Sequence, residues 1–143
     1  GAKKVDQAWA ASWTAARLGF GFLCAIGVFF WLAVNPLLEL FSTDPEVTAL
    51  GTRCMLVAIF CQPLMALTDV FGGSLRGAGD TRSPMIVALI GPVLLRLSAC
   101  WFFAYYCSWG LLGIWIGSTI DWFFRCIILG WIFRRGKWTT AIV

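Results

Sequence analysis

Four ionisable side chains, Asp69, Arg96, Asp121 and Arg125, stand inside runs of sequence that are otherwise almost wholly apolar. A charge at the centre of a membrane span is unfavourable by about 2.5 to 3.5 kcal/mol, so each needs a counter-charge, a water-filled cavity or a task in moving ions. Arg96 and Asp121 lie about equally far on either side of Ser108-Trp109. An antiparallel hairpin turning there brings both to one depth, where a mutual salt bridge is the expected arrangement. Arg125 follows Asp121 by one helical turn on the same face. Asp69 reaches a similar level, and the four are expected to form one buried charge network. One reading confines that network to fixing the helix packing. The other gives a carboxylate a proton or cation to bind reversibly, and Asp69 is the candidate, with Gln62 as a polar neighbour on the same helix. No basic residue stands within one turn of Asp69, Pro63 frees a carbonyl before it, and Gly72 and Gly73 are expected to loosen the helix beyond it. Asp121, flanked by Arg125, is expected to stay ionised and structural.

The elements that must position these charges follow from composition. With 60% hydrophobic and 13% charged residues, the 143-residue chain has too little polar surface for a water-soluble domain. Four stretches, 18–40, 54–75, 85–106 and 111–133, are long and apolar enough to cross about 30 Å of hydrocarbon. They lack the period-two alternation of barrel strands, so the expected fold is an all-α membrane protein of four antiparallel transmembrane helices in a single segment, residues 1–143. The first run is too long, and lacks a small-residue cleavage site, to read as a signal peptide. A chain starting at Gly1 rather than Met reads as a piece of something longer.

Basic residues sort by side. Lys3, Lys4 and Arg17 precede the first span, Arg76 and Arg82 follow the second, and Arg134, Arg135 and Lys137 follow the fourth, whereas Glu39, Asp44 and Glu46 lie after the first. The positive-inside rule then places both termini and the loop between the second and third spans in the cytoplasm, in a cell inner (plasma) membrane protein. That loop, "GGSLRGAGDTRSP", reads as a cytoplasmic helix-turn-helix connector: Arg76 lies near the negative end of a helix, Gly77 and Gly79 end it, and Asp80 and Arg82 lead into the next. Asp44 before Pro45 and Glu46 is expected to cap a second helix that begins at about residue 45, and Ser83 before Pro84 to repeat the device.

Several chemistries are excluded or disfavoured. The absence of histidine removes His-dependent triads and His zinc sites, and six cysteines without C-x-x-C spacing read as packing residues. No metal site, cofactor or enzymatic activity is expected. Gly77-Ala78-Gly79 lacks a P-loop lysine, and the net charge of +4 is explained by topology rather than by nucleic acid. Trp9, Trp13, Trp109, Trp131, Trp138, Tyr105 and Tyr106 are expected to form an interfacial aromatic belt. Deeper aromatics such as Phe29, Trp31 and Trp101 are expected to meet lipid or other helices, or to line a cavity for an organic cation.

The motifs "LFSTDPEV", "SLRGAGDTRSPM", "GLLGIWIGSTIDWFFR" and "RRGKW" together resemble the second half of a multidrug and toxic compound extrusion (MATE) transporter. The resemblance covers nearly the whole chain and implies the last four helices of one lobe of a twelve-helix antiporter, with "GAKKVDQA" as the connector leading into them. It also implies drug or organic-cation export driven by sodium or proton entry, with the lipid bilayer and the remaining helices as partners. In one branch of the family the coupling carboxylate of this half sits one turn before Asp69, where this chain has Met65; Asp69 is expected to act from the adjacent turn. Ser98 stands where an Arg-x-Pro pattern is common, which is expected to leave the third helix straighter. Two other classes stay open: a non-transporting membrane subunit packing beside a larger complex, and a small dimeric four-helix multidrug exporter, which needs an acid inside the first span whereas Glu39 lies at its outer end.

Overall fold

A computed structural model describes residues 5–136, and the side chains of 6–136. Lys3, Lys4, Lys137 and Trp138 lie outside the described residues. Long apolar stretches close their backbone hydrogen bonds internally as helices: α1 (Val5–Glu39), α2 (Pro45–Gly77), α3 (Arg82–Tyr106) and α4 (Gly110–Arg134). All four are long and apolar enough to cross a membrane, and no strand occurs among the described residues.

α1 begins well before its apolar run. Residues 5 to 17, expected as part connector, continue the helix, which extends over about 52 Å at 1.5 Å per residue. Ala8, Ala10, Ala11, Ala15 and Ala16 favour helix there, and Trp9, Trp13 and Ala16 form the stripe that holds it down. Trp9 stacks on Phe133 at 4.8 Å and Trp13 meets Phe71 edge-on at 5.8 Å. These two tryptophans therefore pack against the ends of α2 and α4 rather than serving only as belt residues. Arg53, on which the charge sorting is silent, is exposed two turns into α2.

The start of α2 is chemically specified: Asp44 Oδ1 accepts the Glu46 N–H at 2.9 Å, and Pro45 occupies the first turn. Its end is equally explicit. Gly79 adopts φ 94°, its N–H bonds the Arg76 carbonyl at 3.1 Å, and the Asp80 N–H reaches back to the Leu75 carbonyl at 2.9 Å. This Schellman closure needs a residue that tolerates the left-handed region. Asp80 then accepts the Ser83 N–H at 3.0 Å, so the acceptor at the head of α3 is this carboxylate rather than the expected Ser83 hydroxyl. Gly72 and Gly73 do not interrupt α2; Gly72 is buried where α2 meets Leu129.

α3 is less regular than the absence of a proline at 98 suggests. Gly91–Arg96 and Phe102–Tyr106 are π-helical, with the Leu97 N–H bonded to the Pro92 carbonyl and the Cys107 N–H to Phe102. Pro92 has no N–H to donate, and the wider turn after it advances the phase of all that follows by about one residue.

In space the helices run in the order α1, α2, α4, α3. The result is an open layer rather than a closed bundle: α2 packs on α1 and α4, α4 on α3, and α2 meets α3 only lightly. At one end lies a buried cluster of Ala16, Phe71, Leu75, Leu129 and Phe133. α4 supplies a stripe of buried residues four apart, Gly113, Gly117, Asp121, Arg125, Leu129 and Phe133. Phe29, Trp31, Leu94, Leu97 and Trp101 are exposed on the outer faces.

Candidate functional site

The stripe on α4 changes character along its length. A Cβ on Gly113 would lie 2.6 Å from the Phe103 carbonyl carbon and one on Gly117 2.6 Å from the Cys100 nitrogen, so backbone meets backbone there. One turn further, the space is taken by charge. Asp121 is completely buried, with 0% of its surface exposed, and Arg125 is 8% exposed. Arg125 donates from Nε to Asp121 Oδ1 at 3.0 Å and from Nη2 to Oδ2 at 2.7 Å, a two-pronged clasp across one helical turn. Arg96 arrives from α3 and donates from Nε to Oδ2 at 3.1 Å. Its Nη2 also lies 2.9 Å from Oδ2 but off the hydrogen-bonding direction, so this buried nitrogen has no hydrogen-bond partner.

Gly91 makes room for the cluster, because a Cβ there would fall 2.7 Å from both Arg125 Nε and Asp121 Oδ1. Trp122 presents its ring to both guanidiniums, at 4.7 Å from Arg125 and 5.6 Å from Arg96. Such contacts favour cations most where water is scarce. Neither Gly91 nor Trp122 stands out from the sequence by charge; the spacing of four between Gly113, Gly117 and Asp121 was the available signal. Arg96 is about 15 Å along the helix axis from the Tyr106 end and about 21 Å from Arg82, and Asp121 is similarly central in α4. Two guanidiniums against one carboxylate leave the cluster a surplus of one positive charge.

Asp69 is elsewhere. It is exposed, takes part in no ion pair among the described residues, and opens into a groove between α1 and α2 lined by Ala11, Ser12, Ala15, Val70, Gly73 and Ser74. The expected network of four is therefore a network of three, with Asp69 on a different face of the layer. Gln62, two turns away on α2, lines a second groove against α1 with Ile26, Gly27 and Phe30. The connector residues Arg76, Gly77, Gly79 and Arg82 are exposed, and Asp80 is half-buried by its turn. All six cysteines are free, and no group of three or more potential metal ligands occurs among the described residues. Glu39 is exposed at the end of α1.

Four membrane-length helices with a charge cluster clamped between two of them define an integral membrane protein of the multi-spanning α-helical class. The chain belongs to the MatE family, whose sequence profile matches residues 1–102. It is 32% identical over 122 residues to a probable multidrug resistance protein NorM of Thermotoga maritima, covering 85% of this chain and 26% of that protein. A multidrug resistance protein MdtK of Photorhabdus laumondii is 28% identical, with 97% and 31% covered. An uncharacterized transporter YisQ of Bacillus subtilis is 26% identical, with 96% and 30% covered. The chain thus spans between about a quarter and a third of the length of these relatives. No solved structure matches it significantly.

Proposed function

We propose that the chain forms one part of a multidrug or organic-compound efflux antiporter, coupled to sodium or proton entry, with Asp69 as the coupling carboxylate and Gln62 as an auxiliary polar group. Membership of the MatE family and relatives named as multidrug resistance proteins support the transport role. The observation that carries the assignment within the chain is the division of labour between the two aspartates inside its spans. Asp121 is committed, held by two arginines. Asp69 is uncommitted and opens into a groove, as a group that must take up and release an ion requires. Two of its groove neighbours, Ser12 and Ser74, carry hydroxyl oxygens suited to a small cation. Both termini and the α2–α3 connector are assigned to the cytoplasmic side, which places the Arg76 and Arg82 end of the layer at the inner surface of the membrane.

The test is Asp69→Asn in the longer protein. Ion-driven export of a fluorescent dye should fall to background while the amount of folded protein and dye binding stay near wild type. Export at the wild-type rate returns Asp69 to an ordinary groove-lining residue.

A further inference from the structure

The charge cluster does not balance within the described residues, and the imbalance has a location. Arg125 satisfies Asp121 in a two-pronged clasp, so those two alone form a neutral, hydrogen-bonded pair. Arg96 is the surplus cation. It shares a single carboxylate oxygen already engaged by Arg125, with both its Nε and its buried Nη2 turned to that one oxygen, and its side chain remains 32% exposed. A guanidinium presents a planar fork whose free edge matches one more carboxylate.

We infer that Arg96 receives a second carboxylate, from an Asp or Glu on a membrane helix of the same protein outside residues 5–136. This rests on the reading that the chain is part of a longer transporter. Three observations select that occupant. The site is about 15 Å from the nearer end of its helix, half the hydrocarbon thickness, which is too deep for a lipid phosphate. α3 is the edge of the layer, and Val93, Leu94, Leu97 and Trp101 around the site are exposed apolar residues that a further helix would cover. The relatives are three to four times the length of the stretch matched here, so further spans have room to exist. A side-chain partner, unlike a transient solute, neutralises the surplus charge in every folded molecule.

The experiment is a rescue screen in the longer protein. Arg96→Met removes the charge while keeping the length of the side chain, and leaves Asp121 with Arg125. Most of the monodisperse protein recovered in detergent should be lost, because the outside carboxylate is stranded. Neutralising each mid-span Asp or Glu beyond this chain in the Arg96→Met background should then restore recovery to near the wild-type amount for one of them. Wild-type recovery of Arg96→Met alone overturns the inference, as does failure of every such double variant, or rescue by Asp69→Asn instead. Dye export by the wild-type protein, assayed alongside, tests the transporter reading separately, since recovery is read without it.

Discussion

Replacing Asp121 by leucine removes the one carboxylate that holds two guanidiniums in the middle of the membrane. Asp121 is fully buried and accepts from Arg125 at 3.0 and 2.7 Å and from Arg96 at 3.1 Å. Removing one partner of a buried pair destabilises by about 3 to 5 kcal/mol, and Arg125, nearly as buried as Asp121, takes that figure in full. Arg96 is about one-third exposed and, in the longer protein, would keep the second carboxylate inferred above, so its share is the smaller one. Asp121→Leu should therefore destabilise by about 3 to 5 kcal/mol, a large part of an ordinary membrane-protein or domain stability. The informative comparison is between two double variants. Asp121→Leu with Arg125→Leu replaces the clasp by apolar side chains and should recover most of the loss. Asp121→Leu with Arg96→Leu leaves Arg125 stranded and should recover little or nothing. Unfolding of the purified longer protein in mixed micelles, titrated with a denaturing detergent, reads all of these. Equal recovery by the two double variants, or greater recovery by the one that removes Arg96, refutes the view that Arg125 and Asp121 are the primary pair.

Gly117→Val should force α3 and α4 apart, because its Cβ would stand 2.6 Å from the Cys100 backbone nitrogen. A destabilisation of about 1 to 3 kcal/mol in the same titration is expected, and a neutral result means the backbones are not in contact. A reporter fused after Arg82 or after Val143 should behave as cytoplasmic and one inserted within 42–44 as external; any exchange among them ends the four-span topology.

What was legible in the sequence was whatever depends on neighbours along the chain. Asp44, Pro45 and Glu46 carry the start of α2 in their own chemistry, and the equal spacing of Arg96 and Asp121 about Ser108-Trp109 makes their meeting a matter of hairpin geometry. Features that depend on the phase or order of packed helices were not legible. Asp69 is expected from its sequence position at a level similar to that of the arginines, but level does not tell which side of α2 a residue occupies, and the layer order α1, α2, α4, α3 puts α1 against one side and α4 against the other. The place of Arg96 beside Asp121 also depends on the π turn that follows Pro92, which alters the helical phase in a way no 3.6-residue count anticipates. Trp9 and Trp13 looked interfacial because tryptophans near span ends usually are, and only the three-dimensional approach of Phe71 and Phe133 shows that they are packing residues.

The spatial order of the helices has a consequence for biogenesis. α3 leaves the ribosome before α4, so Arg96 is made 25 residues ahead of the aspartate that receives it. At ordinary synthesis rates that interval is roughly 1 to 5 s. During it, α3 would carry an unpaired arginine at mid-membrane, unfavourable by about 2.5 to 3.5 kcal/mol, with α2 offering only light contact. The close approach of Gly113 and Gly117 to the far end of α3 lies next to the turn, where the two helices meet first. Leaving the translocon together as a hairpin, zipped from Gly113 towards Asp121, would spare α3 that cost by giving the arginine its carboxylate before lipid surrounds it.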